Sequence, residues 1–447
     1  MAEHRRRKRQ CRGAENPRGG GGFDDSGTSR RSSGGGACLP GGGHGSGRAG
    51  GRMSLRPLVA ALWLALPAAA AGQQAAPLEQ LRAEAAAGQA AAQYALALRL
   101  QDGRGVLQNY GRAADWLTRA AEQGHAAAQN RLGQSYHSGL GVAQDRAQAL
   151  HWLEQAAASG TAQYLFDLAA VLEQAPDGSG AAQAAELYAR AAGQGHQDAA
   201  VSLGVLYQNG TGVAQDPARA RQLYEGPAAA GHPRALNNLG LMHVRAEGAV
   251  QDYARAAALF EAASAQGLAP AIRNLGVMYE NGFGVPLDEA RAADLYRRAA
   301  RAAGAAADPG LIYDARLAPP DSSAAGLERL TDGAAAGDPL AQFQLAWLAL
   351  QQPDPSRAGL LAAAGWLRAS AEAGYPAAMA NLGWMYFEGR ALPQDYVLGY
   401  MWLVLAASAG LPEARGLSAA LQARLTPAQL AEAQELAAAK AEAGPQH

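Results

Sequence analysis

Apolar residues recur at helical spacing along most of this chain, in units that repeat about every 36 residues. In each of the fuller units a leucine is followed four residues later by a tyrosine, as in Leu132 and Tyr136. Residues four apart lie on one face of an α-helix, so each pair marks the buried stripe of a first helix, helix A. A second apolar stretch, helix B, follows after a glycine-containing loop. No strand-like alternation is evident, and the chain is predicted to be all-α.

The repeating units are bounded by glycines that close each helix B. Nine units follow, numbered in order: 89–124, 125–160, 161–195, 196–231, 232–267, 268–304, 305–337, 338–374 and 375–410. Units 3 and 7 carry Pro176-Asp-Gly-Ser and Pro319-Pro-Asp-Ser in place of a Gly-x-Gly loop, but they keep the length, so we expect an unbroken array. A fixed period of this size predicts stacked helix hairpins, which offer a long surface rather than one pocket.

Two residue types predict local geometry. Helix B begins after an aspartate, a good N-cap residue, in five units: Asp145, Asp216, Asp252, Asp288 and Asp395. A glycine follows the helix-A leucine in five units, although glycine costs about 1 kcal/mol of helix propensity relative to alanine. Its recurrence predicts a close helix–helix contact that a Cβ would block. The glycines of this set are Gly133, Gly204, Gly240, Gly276 and Gly383.

The repeated phrase resembles the Sel1-like repeat, a relative of the tetratricopeptide repeat. Its residues in unit 2 are Leu132-Gly133, Tyr136, Gly139, Gly141-Val142, Asp145, Trp152, Ala156-Ala157 and Gly160. The resemblance implies a right-handed α/α solenoid of about nine helix-hairpin repeats over residues 89–410. It also implies capping helices: a half-repeat within 72–88 and helices within 411–447, the latter opening at Thr426-Pro427. Such caps cover the apolar ends of a repeat array.

The N-terminal region has a different composition. Residues 1–52 contain 11 Lys and Arg against 4 Asp and Glu with hardly any apolar residue, so we expect disorder. Residues 53–71 combine a charged start, an apolar run over 58–66 and Ala68-Ala-Ala-Ala71, which is typical of a secretory signal peptide. We therefore expect Met53 to be the true start, with no stable membrane anchor after cleavage and a periplasmic or secreted bacterial location. The alternative is an Arg/Gly tail that contacts nucleic acid.

Charge and cysteine content narrow the function classes. From residue 53 onward the chain has 27 Lys and Arg against 35 Asp and Glu, an acidic balance that disfavours nucleic-acid binding. Both cysteines, Cys11 and Cys38, precede Met53, so the mature chain is expected to contain no disulfide. This differs from the cysteine-rich Sel1 proteins and weakens any transfer of their function.

The sequence contains no His-Glu-x-x-His, Cys-x-x-Cys or Gly-x-Ser-x-Gly motif. Its two lysines, Lys8 and Lys440, fit neither a Ser-x-x-Lys nucleophile nor a phosphate-binding Gly-Lys loop. The recurring Gly-x-Gly pairs lack a preceding strand and are interpreted as turns. His125, His196 and His232 share one position after the closing glycine and are interpreted as solvent-facing loop residues rather than metal ligands. We expect no catalytic residue, cofactor or metal.

Binding candidates lie on helix A, which lines the concave face in tetratricopeptide arrays and by resemblance here. Asn238, Asn274 and Asn381 occupy the position directly before Leu-Gly, called here the pre-leucine position. An asparagine side chain both donates and accepts, so this ladder is suited to a peptide backbone, although a hydrogen bond within the repeat is an alternative. Trp384 and Phe387 are further candidates, because aromatic residues often anchor interfaces. Contact with the C-terminal cap explains them nearly as well.

Two functional hypotheses follow. The first is an exported, non-enzymatic adaptor or scaffold that binds a protein or peptide partner through the surface of the solenoid. The second is a hydrolase acting on β-lactam or cell-wall substrates, by analogy with the cysteine-rich Sel1 relatives. The absence of catalytic motifs favours the first.

Overall fold

A computed structural model describes residues 77–302, 311–352 and 355–444, which contain twenty α-helices and no strand. All of them belong to one compact unit, Gly72–His447. The predictions for residues 1–52 and 53–71 concern residues outside the described ranges. The helices are α1 Leu78–Ala86, α2 Ala90–Asp102, α3 Tyr110–Glu122, α4 Ala126–Ser138, α5 Arg146–Ala157, α6 Ala162–Glu173, α7 Ala181–Gly193, α8 Gln197–Asn209, α9 Pro217–Ala229, α10 Pro233–Arg245, α11 Tyr253–Ala265, α12 Ala269–Asn281, α13 Glu289–Ala302, α14 Ala324–Ala335, α15 Pro339–Leu350, α16 Arg357–Glu372, α17 Pro376–Glu388, α18 Tyr396–Ser408, α19 Pro412–Gln422 and α20 Pro427–Ala443.

Consecutive helices pack in pairs from α2 to α13 and from α15 to α18, and within each of these two runs every pair packs on the next, which confirms the predicted α-solenoid. Among the described residues α13 and α14 do not pack in this way, so an unbroken array between units 6 and 7 stays a prediction. Helices α2 to α13 form the hairpins of units 1–6, and α15 to α18 form those of units 8 and 9. Helix α1 packs on α2, while α19 and α20 pack on α18, so a helix covers each end of the stack. The five aspartates predicted as N-caps each accept a backbone N–H of the first helical turn of their helix B.

The helix-A glycines lie where two helices approach most closely. A Cβ built on Gly133 would come within 2.6 Å of Leu153 Cγ and 2.9 Å of the Ala149 carbonyl oxygen, both on α5. The equivalent glycines of the other four units also meet helix B at distances that no real Cβ adopts. The predicted contact is therefore confirmed, and it explains why the units tolerate a residue that weakens the helix.

Unit 7 departs from the expected hairpin. Its described part begins at residue 311 and contains one helix, α14, which packs on α15. Residues 311–322 form no helix and include a turn at 315–317. The pair Pro319-Pro320 follows this turn, and proline both lacks the N–H that a helix needs and disfavours helical geometry in the preceding residue. Unit 7 therefore keeps the repeat length, although residues 311–322 form irregular backbone instead of helix A.

The C-terminal helices also contact the first units. The backbone N–H of Tyr110 donates to Gln434 Oε1 at 2.9 Å, and the Tyr110 hydroxyl donates to Gln422 Oε1 at 3.0 Å. The hydroxyl of Tyr400, in unit 9, donates to Gln108 Oε1 at 2.7 Å. The C-terminal cap thus contacts both the last unit and the loops of unit 1.

Candidate partner-binding face

A stretch of unit 7 lies across the helix-A face of units 8 and 9. This internal segment, Leu311–Ala318, contains neither helix nor strand. Its larger side chains Leu311, Ile312, Tyr313 and Leu317 are half-buried and pack against the core cluster that includes α15 and α17. The helix-A face of these two units therefore already holds a stretch of irregular polypeptide.

Asn381 on α17 holds the backbone of this segment. Its Oδ1 accepts the N–H of Ile312 at 2.7 Å, and its Nδ2 donates to the carbonyl oxygen of the same residue at 2.8 Å. The side chain is 1% exposed, so both polar atoms would be unsatisfied without these bonds. Because both bonds go to main-chain atoms, the contact recognises a peptide backbone without selecting a side chain.

The following residue, Tyr313, occupies an aromatic site on α15. Its ring centroid lies 4.9 Å from that of Trp347 and 5.6 Å from that of Phe343. Its hydroxyl accepts a hydrogen bond from Gln344 Nε2 at 3.2 Å and donates to the Ala318 carbonyl oxygen at 2.7 Å. The site thus offers both apolar contact and a donor for the phenol oxygen, which suits tyrosine better than phenylalanine.

Asp314 is buried and accepts several hydrogen bonds. The Nε and Nη2 atoms of Arg316 each donate to its carboxylate at 2.8 Å, and the Tyr375 hydroxyl donates at 3.2 Å. Hydrogen bonding to the Arg316 guanidinium lowers the pKa of Asp314 to about 2. Burial, followed by the neighbouring carboxylate, raises the pKa of Tyr375, so this residue remains a neutral donor. The face therefore contributes one hydroxyl donor to the carboxylate, and the segment contributes the guanidinium.

The residues that hold the internal segment occupy equivalent positions in two successive units. Gln344 in unit 8 and Asn381 in unit 9 both stand at the pre-leucine position. Trp347 occupies in unit 8 the position that Trp384 occupies in unit 9. The internal segment thus follows a track of helix-A positions that the repeat supplies in other units as well.

Asn238 and Asn274 lie at that same position on α10 and α12, and both are half-buried. Asn274 Nδ2 donates to Asn237 Oδ1 at 2.9 Å, and Asn237 Nδ2 reaches Asn238 Oδ1 at 3.4 Å. The Asn274 bond joins units 5 and 6, which differs from the alternative of a hydrogen bond within the repeat, whereas the contact between Asn237 and Asn238 lies within unit 5. One turn beyond Asn274, Val277 is 39% exposed. Whether Asn238, Asn274 and Asn381 bind a partner stays a prediction.

Trp384 and Phe387 contribute to the packing of unit 9. Trp384 is 5% exposed, and its ring centroid lies 4.9 Å from that of Phe387, which in turn lies 5.4 Å from Tyr396. Trp384 belongs to the same buried cluster as Leu430 of the C-terminal cap. This placement favours the packing interpretation for Trp384, and a partner role for the two aromatic residues stays a prediction.

A polar cluster between units 2 and 3 was missed by the sequence analysis. The Asp167 carboxylate on α6 accepts hydrogen bonds from Asn130 at 2.8 Å, Gln134 at 2.9 Å and Gln163 at 3.0 Å. Within the described ranges, the buried Asn130 Oδ1 has no hydrogen-bond partner. The sequence feature that could have predicted this cluster is an asparagine two residues before the helix-A leucine, a position that Asn237 also occupies.

The three histidines cap helices. The Nδ1 atoms of His125, His196 and His232 accept the backbone N–H of the third residue of α4, α8 and α10 at 3.2, 3.1 and 3.4 Å, respectively. They therefore act as N-caps instead of the solvent-facing loop residues we expected. Across residues 77–302, 311–352 and 355–444, no group of three or more His, Cys, Asp or Glu residues is placed to hold a metal ion. No helix in the same ranges is long and apolar enough to cross a bilayer.

Comparison with known proteins gives a family match along most of the array. The family described as Sel1 repeat matches residues 90–125, 126–161, 180–196, 197–232, 233–268, 269–303, 339–375 and 376–411. These ranges follow units 1, 2, 4–6, 8 and 9 and the second half of unit 3, and they leave out unit 7. A search of curated proteins finds none that matches this chain.

Several solved structures resemble this chain, and the following three come from bacteria. A protective antigen of uropathogenic Escherichia coli with an SLR fold is 26% identical, with 82% of this chain and 87% of that chain covered and a TM-score of 0.44. A Sel1 repeat protein from Oxalobacter formigenes is 29% identical, with coverages of 47% and 85% and a TM-score of 0.44. An immunity protein from Pseudomonas aeruginosa is 22% identical, with coverages of 48% and 82% and a TM-score of 0.34.

Proposed function

Because this chain belongs to the Sel1 repeat family, we propose that it is a non-enzymatic adaptor that binds an extended segment of a protein partner along its helix-A face. The Sel1 repeat solenoid is a fold that is typical of protein-interaction scaffolds. The observation that carries the proposal is the pair of hydrogen bonds from Asn381 to the Ile312 backbone. A helix-A asparagine of this array is therefore positioned to hold polypeptide in the way that a partner segment requires.

Units 5 and 6 provide the open counterpart of that arrangement. Asn238 and Asn274 stand at the same pre-leucine position, and Leu241 and Val277 follow each of them by three residues. Residues three apart are neighbours on a helix surface, so each unit presents an amide beside an aliphatic side chain. A partner backbone would bond the amides, while its side chains would contact Leu241 and Val277.

Site-specific photocrosslinking in the native cell tests the binding face. A photoreactive residue at Val277 on helix A is compared with one at Ala258, an exposed position on helix B of unit 5. We expect one discrete crosslinked protein from position 277 and none from position 258. The Asn274→Ala change should weaken that crosslink without unfolding the array. Equal crosslinking from both positions, or none from either, would exclude the helix-A face.

The adaptor is further proposed to work outside the cytoplasm, in the periplasm or as a secreted protein. The support is the charged start, apolar run and small-residue exit within residues 53–71. Cell fractionation with N-terminal sequencing tests this proposal, with a mature N-terminus expected near residue 72. Peptides from residues 1–52 in the mature protein would contradict it. No observation on the described residues favours the hydrolase alternative.

A further inference from the structure

We propose that the internal segment Leu311–Ala318 is a built-in mimic of the partner, and that units 8 and 9 exchange it for a partner segment of similar chemistry. The pattern is an aliphatic residue, tyrosine, an acidic residue, any residue and arginine, as in Ile312–Arg316. This inference rests on the proposed function and names the class of ligand for one part of the face.

The first step is that the contacts with the face come from side chains at repeat positions. Asn381 bonds the Ile312 backbone, and Gln344 bonds the Tyr313 hydroxyl. Both residues stand at the pre-leucine position, which other units of the array carry without an internal segment. The face therefore holds the segment through groups arranged to receive a chain, and a second chain with the same atoms would form the same bonds.

The second step is that the helix-A face makes selective contacts with two side chains of the segment, Tyr313 and Asp314. The rings of Phe343 and Trp347 and the amide of Gln344 select an aromatic residue with a hydroxyl group. The Tyr375 hydroxyl donates to the Asp314 carboxylate at 3.2 Å, and this contact selects an acid over an amide only weakly. A guanidinium two residues further along, as at Arg316, neutralises the acid on burial. These requirements define the aliphatic–Tyr–acid–x–Arg pattern.

The third step is that the segment is poised for exchange. It lacks regular hydrogen bonding of its own, and Leu311, Ile312 and Tyr313 remain half-buried. Because the segment is part of the chain, its effective concentration at the face is in the millimolar range. A free peptide must compete with the internal segment. Its apparent affinity is therefore its intrinsic affinity multiplied by the fraction of molecules in which the segment has left the face. Weakening the internal segment should therefore reveal binding in trans.

Fluorescence anisotropy with a labelled synthetic peptide tests the exchange on the full chain. The probe has the sequence of residues 311–318, and its control has tyrosine replaced by alanine. The Tyr313→Ala protein keeps every group of the face and loses the ring that fills the aromatic site. We expect it to bind the probe about tenfold more tightly than the unchanged protein does. Adding Asn381→Ala should abolish that gain, and the control peptide should bind weakly to all proteins.

The matched protein control is Tyr253→Ala, which removes another half-buried tyrosine stacked on an aromatic ring, that of Phe283 at 5.1 Å. It should leave probe binding unchanged, which separates segment release from general destabilisation. Equal binding by the unchanged protein, Tyr313→Ala and Tyr253→Ala would overturn the proposal. A dimer that appears in light scattering and exchanges this segment between copies would also overturn it, in favour of self-association. Because the crosslinking at Val277 concerns units 5 and 6, failure of either experiment leaves the other interpretable.

Discussion

Helix A of unit 6 and helix A of unit 9 have the same register but different surroundings. Asn274 and Val277 in unit 6 are partly exposed, whereas Asn381 and Trp384 at the equivalent positions of unit 9 are buried. The difference lies in what covers the helix, because the internal segment lies against Asn381. One repeat position therefore serves as a surface group in the regular units and as a buried anchor near the C-terminus.

The comparison extends to the units around these helices. Units 1–6 are regular hairpins, whereas the described part of unit 7 has one helix and supplies the internal segment for units 8 and 9. The largest buried cluster of the described residues runs through the C-terminal region. We therefore expect substitutions in units 8 and 9 to cost more stability than equivalent substitutions in units 1–6.

The largest effect is expected for Trp402→Ala. Trp402 is 5% exposed and lies beneath the Lys440 ammonium at 4.9 Å, so removing the ring should cost about 3–5 kcal/mol. Trp152→Ala, at the same helix-B position of unit 2, should cost less because Trp152 is only half-buried. Repeat arrays couple mainly nearest neighbours. Hydrogen exchange should therefore show loss of protection in α15–α20 for Trp402→Ala, and an equal, all-or-none loss for both variants would contradict this view.

The next prediction compares the stability cost of replacing Asn381 with that of replacing Asn274. Asn381→Ala leaves the N–H and carbonyl of Ile312 without their partner, which should cost about 1–3 kcal/mol in urea unfolding. Asn274→Ala removes one bond at a half-buried site and should cost about 0.5–1 kcal/mol. Exchange of the Ile312 amide should speed up only in the first variant. Similar costs for the two variants would mean that the internal segment is not held by Asn381.

A smaller difference is expected between two helix-A glycines. A Cβ on Gly383 would lie 2.8 Å from the backbone oxygen of Gly399, which can move only if the helices separate. A Cβ on Gly276 would meet the ring edge of Tyr296 at 2.8 Å, and a side chain yields more readily. After the helix-propensity gain of alanine, about 1 kcal/mol, Gly383→Ala should still destabilise by about 1–2 kcal/mol. Gly276→Ala should be nearly neutral, and thermal unfolding of the pair measures the difference.

The sequence predicted the parts of this fold that depend on local spacing. The aspartate caps follow from residues within one helical turn, and the glycine contacts follow from a position that recurs beside the same helix. The pre-leucine asparagines lie at equivalent positions of α10, α12 and α17 for the same reason, and their binding role stays a prediction. Each of these predictions uses residues that are close in sequence or equivalent by repeat.

The rest depends on contacts between distant residues. Unit 7 keeps the repeat length, so its period gave no sign that residues 311–318 lie on a neighbouring unit instead of forming a helix. The contact between Tyr110 and Gln434 joins residues 324 positions apart and depends on the rotation accumulated over all the units. For Trp384 the sequence left a partner contact and a contact with the C-terminal cap both open, because the side chains that bury this ring are set by tertiary packing.

The last expected effect is a pH dependence confined to the internal segment. Hydrogen bonds from the Arg316 guanidinium lower the pKa of Asp314 to about 2, below the value of about 4 expected for the unfolded chain. A carboxyl whose folded pKa is depressed stabilises the fold above the unfolded pKa, and that contribution is lost as the pH falls from about 4 to about 2. The Asp314→Asn variant lacks this titration. The difference in urea midpoint between the two proteins should therefore be constant above about pH 5 and shrink below about pH 4. A difference that persists to pH 2 would show that the charged pair does not hold the segment, since protonation would then leave its contacts unchanged.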